Sequence, residues 1–159
     1  DREKKLQILK DTHAGAFAVT GGGLYLLLYC GGCSELPVRG AAAVSAGFVL
    51  SRALSGLAAA IFPGAREHGM LADFMKDSRR RLVAASMVFY MAVSARAMIL
   101  LGGLCGAAAV LGAVLAFLYY RRMVFREFGG VTGDLAGYFL QLCELFMVLA
   151  AAVCHLAIS

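Results

Sequence analysis

At 159 residues, 61% hydrophobic and only 16% charged, the chain is unlike a soluble domain, in which about a quarter of residues are charged. Its net charge of +5 raises nucleic acid as a partner, but the basic residues stand in short clusters beside long apolar blocks. That distribution is what membrane topology demands, so no nucleic-acid role follows.

Apolar blocks parted by charged ones predict an all-α fold. It is a polytopic membrane helix bundle in contact with the lipid bilayer, a single transmembrane domain over residues 1–159. The first residue is Asp1, and no signal-peptide pattern precedes the first apolar block. The chain therefore reads as a fragment or a processed product. Arg2, Lys4, Lys5 and Lys10 lead into a first span from about Ala14 to Tyr29. A turn over Cys30–Pro37 follows. Its CGGC motif has a metal-like spacing, but no second pair completes a four-ligand zinc site, and a plain turn or an incidental disulfide is the simpler account. The second span runs from about Val38 to Phe62 and is stopped by Pro63-Gly64. Leu82 to Tyr120 is apolar but too long for one crossing of ~20 residues. Gly102-Gly103 divides it into two spans joined by a hairpin. The fifth span covers about Gly133 to Ile158. Nineteen glycines against two prolines suit helices packed closely in a bilayer.

The basic residues test this division. Four precede span one, and Arg39 alone lies in the next turn; Arg66, Lys76, Arg79, Arg80 and Arg81 separate spans two and three. The hairpin has none, Arg121, Arg122 and Arg126 separate spans four and five, and the tail has none. Alternation of this kind places the N-terminus in the cytosol, with about five crossings.

Ionisable groups inside a span cost at least ~2.5 kcal/mol at the helix centre and need a partner or a task. In span five, Asp134, Gly137, Gln141, Glu144 and His155 fall within an arc of about 80° at 100° per residue. This polar stripe is expected to face the protein interior. Asp134 follows the glycine-rich turn FGGVTG. It either caps the helix, as Thr132 also can, or holds a divalent cation that bridges to phosphate. The backbone of such a turn can also bind an anion directly. Arg52, near the middle of span two among Ser45, Ser51, Ser55 and Gly56, either pairs with an acid such as Glu144 or lines a cavity that receives anionic groups. Lys10, Asp11 and His13 before span one, Arg66, Glu67 and His68 after span two, and the segment leading into span five all emerge on one face.

These segments resemble the membrane-embedded cobalamin synthases, the adenosylcobinamide-GDP ribazoletransferases. DREKKLQILKDTHAGAFAV is similar to the family's basic segment with Lys-Asp and then Gly-x-Phe at the start of a span. SRALSGLAAAIFPGAREHGMLADF resembles its Ser-Arg helix followed by Pro-x-Ala-Arg-x-x-Gly, and FGGVTGDLAGYFLQLCEL its Gly-Gly-x-Thr-Gly-Asp signature. His13, Ala18 and Gln141 depart from the family's usual arginine, glycine and glutamate, and the family's upstream aspartate-rich stretch is not in this sequence.

The resemblance implies an enzyme that joins adenosylcobinamide-GDP to α-ribazole, or its 5′-phosphate, and releases GMP. It implies that the chain is the C-terminal portion of a longer family protein, with Mg²⁺ as cofactor held by Asp134 and the family's upstream aspartates, and with Asp134 as a catalytic residue. For the residue that orients or deprotonates the hydroxyl, Asp11 and His13 are both candidates. Lys10, Arg52, Arg66, Gly129, Gly130, Thr132, Gly133 and Glu144 are the substrate-binding candidates. An oligomer is compatible with the sequence. The competing classes are a transporter or channel subunit, which would use the intramembrane acids and Arg52 as an ion path, and a purely structural subunit.

Overall fold

The computed structural model describes residues 2–9, 11, 13, 15–65 and 80–159. Lys10 and Arg66, two of the expected substrate-binding residues, lie outside the described residues. The described chain is helical almost throughout. A short, charged α1 (Arg2–Ile8) precedes α2 (Ala16–Ser34), α3 (Val38–Ile61), α4 (Arg80–Met123) and α5 (Gly133–Ile158). A π-helical turn, Val124–Phe128, ends α4. Among the described residues, α2 to α5 are the helices long and apolar enough to cross a membrane.

The expected turn over Cys30–Pro37 is shorter than its composition suggested, because α2 continues through both cysteines to Ser34. Both of those thiols are free and exposed. Gly31-Gly32 does not break the helix, since an apolar environment offers the backbone no partner other than its own carbonyls. Pro37 instead sets the start of α3, whose far end is closed by the Phe62 N–H on the Ala58 carbonyl.

The helix α4 is two limbs. Gly103 sits at φ 56°, ψ −127°, outside the helical region. In a straight helix Met98 and Gly106 would stand about 12 Å apart along the axis. Here a Cβ on Gly106 would collide with the Met98 carbonyl oxygen, so the chain doubles back at the pair the sequence marked. Only glycine accepts that backbone without strain. Gly103→Ala is expected to cost about 1–3 kcal/mol, read as a lowered melting temperature in detergent; an unchanged value would show that the bend carries no strain.

The core lies between α3, both limbs of α4, and α5. Leu50, Leu54 and Ala58 meet Met98, Ala109, Ala113 and Ala116, and the buried face of α5 closes over them. Between helices in lipid the attraction comes from close packing and not from water exclusion, which favours small residues at the contact. Gly112 shows this: a Cβ there would lie 2.6 Å from the Phe146 carbonyl oxygen. Near the α4–α5 junction aromatics take over, with Tyr120 and Phe139 at 4.8 Å and Phe62 and Phe125 at 5.1 Å between ring centroids.

The buried face of α5 is Leu135, Phe139, Cys143, Met147 and Ala151, one residue every four. The outer part of the polar stripe does not point into the bundle as expected. Asp134, Gly137 and Gln141 are exposed, and Gln141 lines a groove beside α2, whereas Glu144 turns inward to Ser51 and Arg52 of α3. The apolar ladder matches the helical repeat and takes the packed side, which leaves the polar residues on its edge. The helix α2 touches α5 where Gly32, its one buried residue, fits against Val148.

Candidate functional site at the glycine-rich mouth of α5

Two loops distant in sequence are stitched together at one end of the bundle. Val131 N–H donates to the Pro63 carbonyl at 2.9 Å, and Ala65 N–H donates to the Val131 carbonyl at 3.0 Å. This short parallel bridge binds the Phe62-Pro63-Gly64 turn to the Gly129–Gly133 loop. It also explains Gly130: a Cβ there would lie 2.5 Å from the Pro63 carbonyl oxygen and 2.6 Å from the Ala65 nitrogen. Gly129 ends the π turn at φ 75°, with the Arg2 guanidinium packed against it. Gly133 has open space where a side chain would be. Of the three glycines, the structure spends two on the loop and leaves one bare surface.

Thr132 is the N-cap. Its buried hydroxyl accepts from the Leu135 N–H at 3.3 Å, which satisfies one of the helix's orphan donors. Asp134 is therefore not needed as a cap. It is exposed and makes no hydrogen bond or ion pair among the described residues. It lines a pocket of about 250 Å³ with Leu9, Met123, Phe128, Leu135 and Tyr138.

The N-terminal segment reaches this mouth too. Lys5 of α1 is ion-paired with Glu127 of the π turn, and Leu9 forms part of the pocket wall. Two residues further on, Asp11 accepts a hydrogen bond from the His13 backbone N–H at 3.0 Å and contacts its Nδ1 at 2.8 Å. The backbone donor, then the imidazole, holds the Asp11 carboxyl below its ordinary range.

Deeper in the bundle is a second polar cluster. Arg52 pairs with Glu144 at 2.6 Å, and the buried Ser51 hydroxyl donates to the same carboxylate oxygen at 3.1 Å. The guanidinium also donates to Ser51 Oγ and to the Phe48 carbonyl, both at 3.1 Å, and its carbon lies 5.6 Å from the Phe48 ring centroid. Ten residues separate Glu144 from Asp134, about 15 Å along the helix. Arg52 therefore belongs to this inner cluster and not to the mouth.

Tyr138 joins the mouth to a neighbouring groove. It stands one turn beyond Asp134 on the same face, lines the mouth pocket, and also lines a groove of about 380 Å³ between α2 and α5. That groove is walled by Gly21, Gly22 and Tyr25 on one side and by Gln141 and Leu145 on the other. Tyr138 was not among the sequence candidates, although its i, i+4 spacing from Asp134 places the two side by side. The Pro63–Val131 bridge and the Lys5–Glu127 pair left no sequence signal, being contacts between segments with no fixed spacing.

Comparison with known families matches residues 1–152 to cobalamin-5-phosphate synthase. The chain is 42% identical over 152 residues to the adenosylcobinamide-GDP ribazoletransferase of Lachnoclostridium phytofermentans, covering 96% of this chain and 58% of that protein. It is 33% identical over 154 residues to the protein of the same name from Pseudomonas fluorescens strain SBW25, covering 96% and 62%. With that of Chlorobium phaeovibrioides it shares 33% identity over 163 residues, covering 99% and 64%. The chain thus spans about three fifths of the length of these relatives. No solved structure matches it.

Proposed function

Because the chain belongs to the cobalamin-5-phosphate synthase family, we propose that it forms the membrane-embedded part of an adenosylcobinamide-GDP ribazoletransferase. The reaction joins adenosylcobinamide-GDP to α-ribazole, or its 5′-phosphate, and releases GMP. The ribazole hydroxyl attacks one phosphorus of the diphosphate, its proton passes to a base, and the bond to GMP breaks. Transfer of this kind asks a protein mainly for positioning and for neutralisation of charge.

The observation that carries this reading is the continuity of mouth and groove at Tyr138. A mostly apolar mouth that carries the Asp134 carboxylate adjoins a mostly apolar groove at Tyr138, which suits a substrate that combines a diphosphate with a bulky macrocycle lying along the helices. Gly133 and the first turn of α5 leave backbone accessible where the diphosphate would lie. Asp11 and His13, already hydrogen-bonded to each other, are the pair placed to orient or deprotonate the hydroxyl. Arg52 and Glu144 line the inner end of the polar stripe, and Lys10 and Arg66 remain phosphate-binding candidates by their sequence context.

Among the described residues no three His, Cys, Asp or Glu side chains converge, and Asp134 is the one carboxylate lining the mouth pocket. That set suits Mg²⁺, which is commonly held by one or two carboxylates and takes its other ligands from water and phosphate. When bound there, the ion would supply charge neutralisation at the diphosphate oxygens. The test of function is GMP release from adenosylcobinamide-GDP, dependent on α-ribazole, in membranes carrying the intact protein. Release independent of ribazole would refute the reaction.

We further propose five crossings of the cell's inner membrane, with the N-terminus and the mouth in the cytosol, on the strength of the alternating basic clusters and the bend at Gly103. Cys30, exposed at the far end of α2, is then expected to react with a membrane-impermeant maleimide added outside intact cells. Labelling only after lysis would reverse the orientation.

A further inference from the structure

The second limb of α4 ends in a basic pocket that shares no lining residue with the mouth. It holds about 650 Å³ and is lined by Leu118, Arg121, Arg122, Phe125 and Arg126. Among the described residues Arg121 and Arg122 have no acidic partner, and the one acid beside Arg126, Glu127 at 3.3 Å, is also engaged by Lys5. Among the described residues, three guanidiniums therefore face a pocket with little compensating negative charge.

Below the pocket the helix surface is apolar and uncovered. Leu111, Leu115 and Leu118 are each half or more exposed, and with Arg122 they fall within about 60° of arc at 100° per residue. From Leu111 to Arg122 the helix rises about 16 Å. That matches one leaflet's share of a hydrocarbon core about 30 Å thick. An apolar strip one leaflet long that ends in three forked cations is complementary in shape and charge to an anionic phospholipid.

We propose that Arg121, Arg122 and Arg126 form a binding site for the headgroup phosphate of an anionic phospholipid whose acyl chains lie along Leu111, Leu115 and Leu118. A free phosphate would use the same guanidinium forks, but it has no use for the strip. The lipid is favoured because floor and strip are continuous through Leu118. The site anchors the π turn that carries the Gly129–Gly133 loop, at the level of the headgroups.

The test is native mass spectrometry of the intact protein in mixed micelles holding equal phosphatidylglycerol and phosphatidylcholine. The wild type is expected to retain phosphatidylglycerol over phosphatidylcholine on the order of ten-fold, from several basic residues acting together near the surface. Arg121→Gln/Arg122→Gln/Arg126→Gln is expected to bring the two lipids near parity. Lys4→Gln/Arg39→Gln/Arg96→Gln, which loses the same charge from exposed positions elsewhere, is expected to keep the preference. Should the first triple variant lose its helical circular dichroism, Arg122→Gln alone is expected to cut the preference several-fold. Equal loss in both triple variants, or a preference that survives in the pocket variants, overturns the site. Displacement of the lipid by millimolar inorganic phosphate would assign the pocket to a soluble anion and overturn it as well.

Discussion

Asp134→Asn is expected to lower GMP release about 10²–10³-fold, the scale of losing one group that stabilises transition-state charge, while the protein stays folded and inserted. The division of labour at the start of α5 separates the two effects. Thr132 already caps the helix, and Asp134 is exposed without a partner among the described residues. Its structural worth is then limited to the favourable placing of an acid near a helix N-terminus, about 0.3–1 kcal/mol. Asparagine keeps the shape and removes the charge. The measurements are the rate of GMP release in membranes and the melting temperature in detergent, taken on the same preparation. Near wild-type release would remove Asp134 from the mechanism, and a collapse of stability would make its role structural. Asp134→Glu keeps the charge but moves it by one methylene, so an intermediate rate is expected.

Much of the fold was legible because the bilayer restricts backbone to helices. Length and apolarity then set the bounds of α3 and α5 nearly to the residue. The Gly102-Gly103 bend was legible for the same reason: an apolar run of double length has to turn somewhere, and glycine is where it can. The Cys30–Pro37 turn was misjudged because glycines and cysteines weigh as loop-formers in water, whereas here α2 runs on through them. The direction of the polar stripe was also misjudged at its outer end, where Asp134, Gly137 and Gln141 are exposed. Its helical arc was correct, but a one-sided arc says only that the stripe is segregated and does not say which neighbour covers it. The apolar ladder from Leu135 to Ala151 is the one that packs; of the stripe, Gln141 looks to the groove beside α2 while Glu144 turns to Ser51 and Arg52 of α3. At the site, Asp134 and Thr132 were visible through their place in a glycine-rich turn, but which of the two caps could not be read from spacing that allows both. The role of Gly130 was hidden for a different reason. Its bare Cα is required by Pro63 and Ala65, more than sixty residues earlier in the sequence.

Arg52 and Glu144 are expected to be strongly coupled in stability, and their double replacement separates structure from binding. In the structure the Arg52 side chain is 58% exposed and that of Glu144 is 13% exposed. For a spanning helix the outside is lipid, so exposure brings Arg52 little of the screening that water gives a surface pair. Arg52→Leu strands a carboxylate whose remaining partner in the cluster is Ser51, and Glu144→Leu strands a guanidinium. Each single change is expected to cost about 3–5 kcal/mol, the range for breaking a buried pair. The Arg52→Leu/Glu144→Leu variant leaves no charge to strand, and apolar replacement of both members of a buried pair is often neutral. Most of the stability is therefore expected to return. If the guanidinium also contacts a substrate phosphate, this restored protein should still bind adenosylcobinamide-GDP at least ~10-fold more weakly, the loss of one charge-assisted hydrogen bond. Thermal melts of the four members of the cycle, with binding measured on the stable ones, decide the matter. Wild-type affinity in the double variant would confine the pair to holding α3 against α5, and failure of the double variant to recover would show that Ser51 and Phe48 depend on the charges for their own placement.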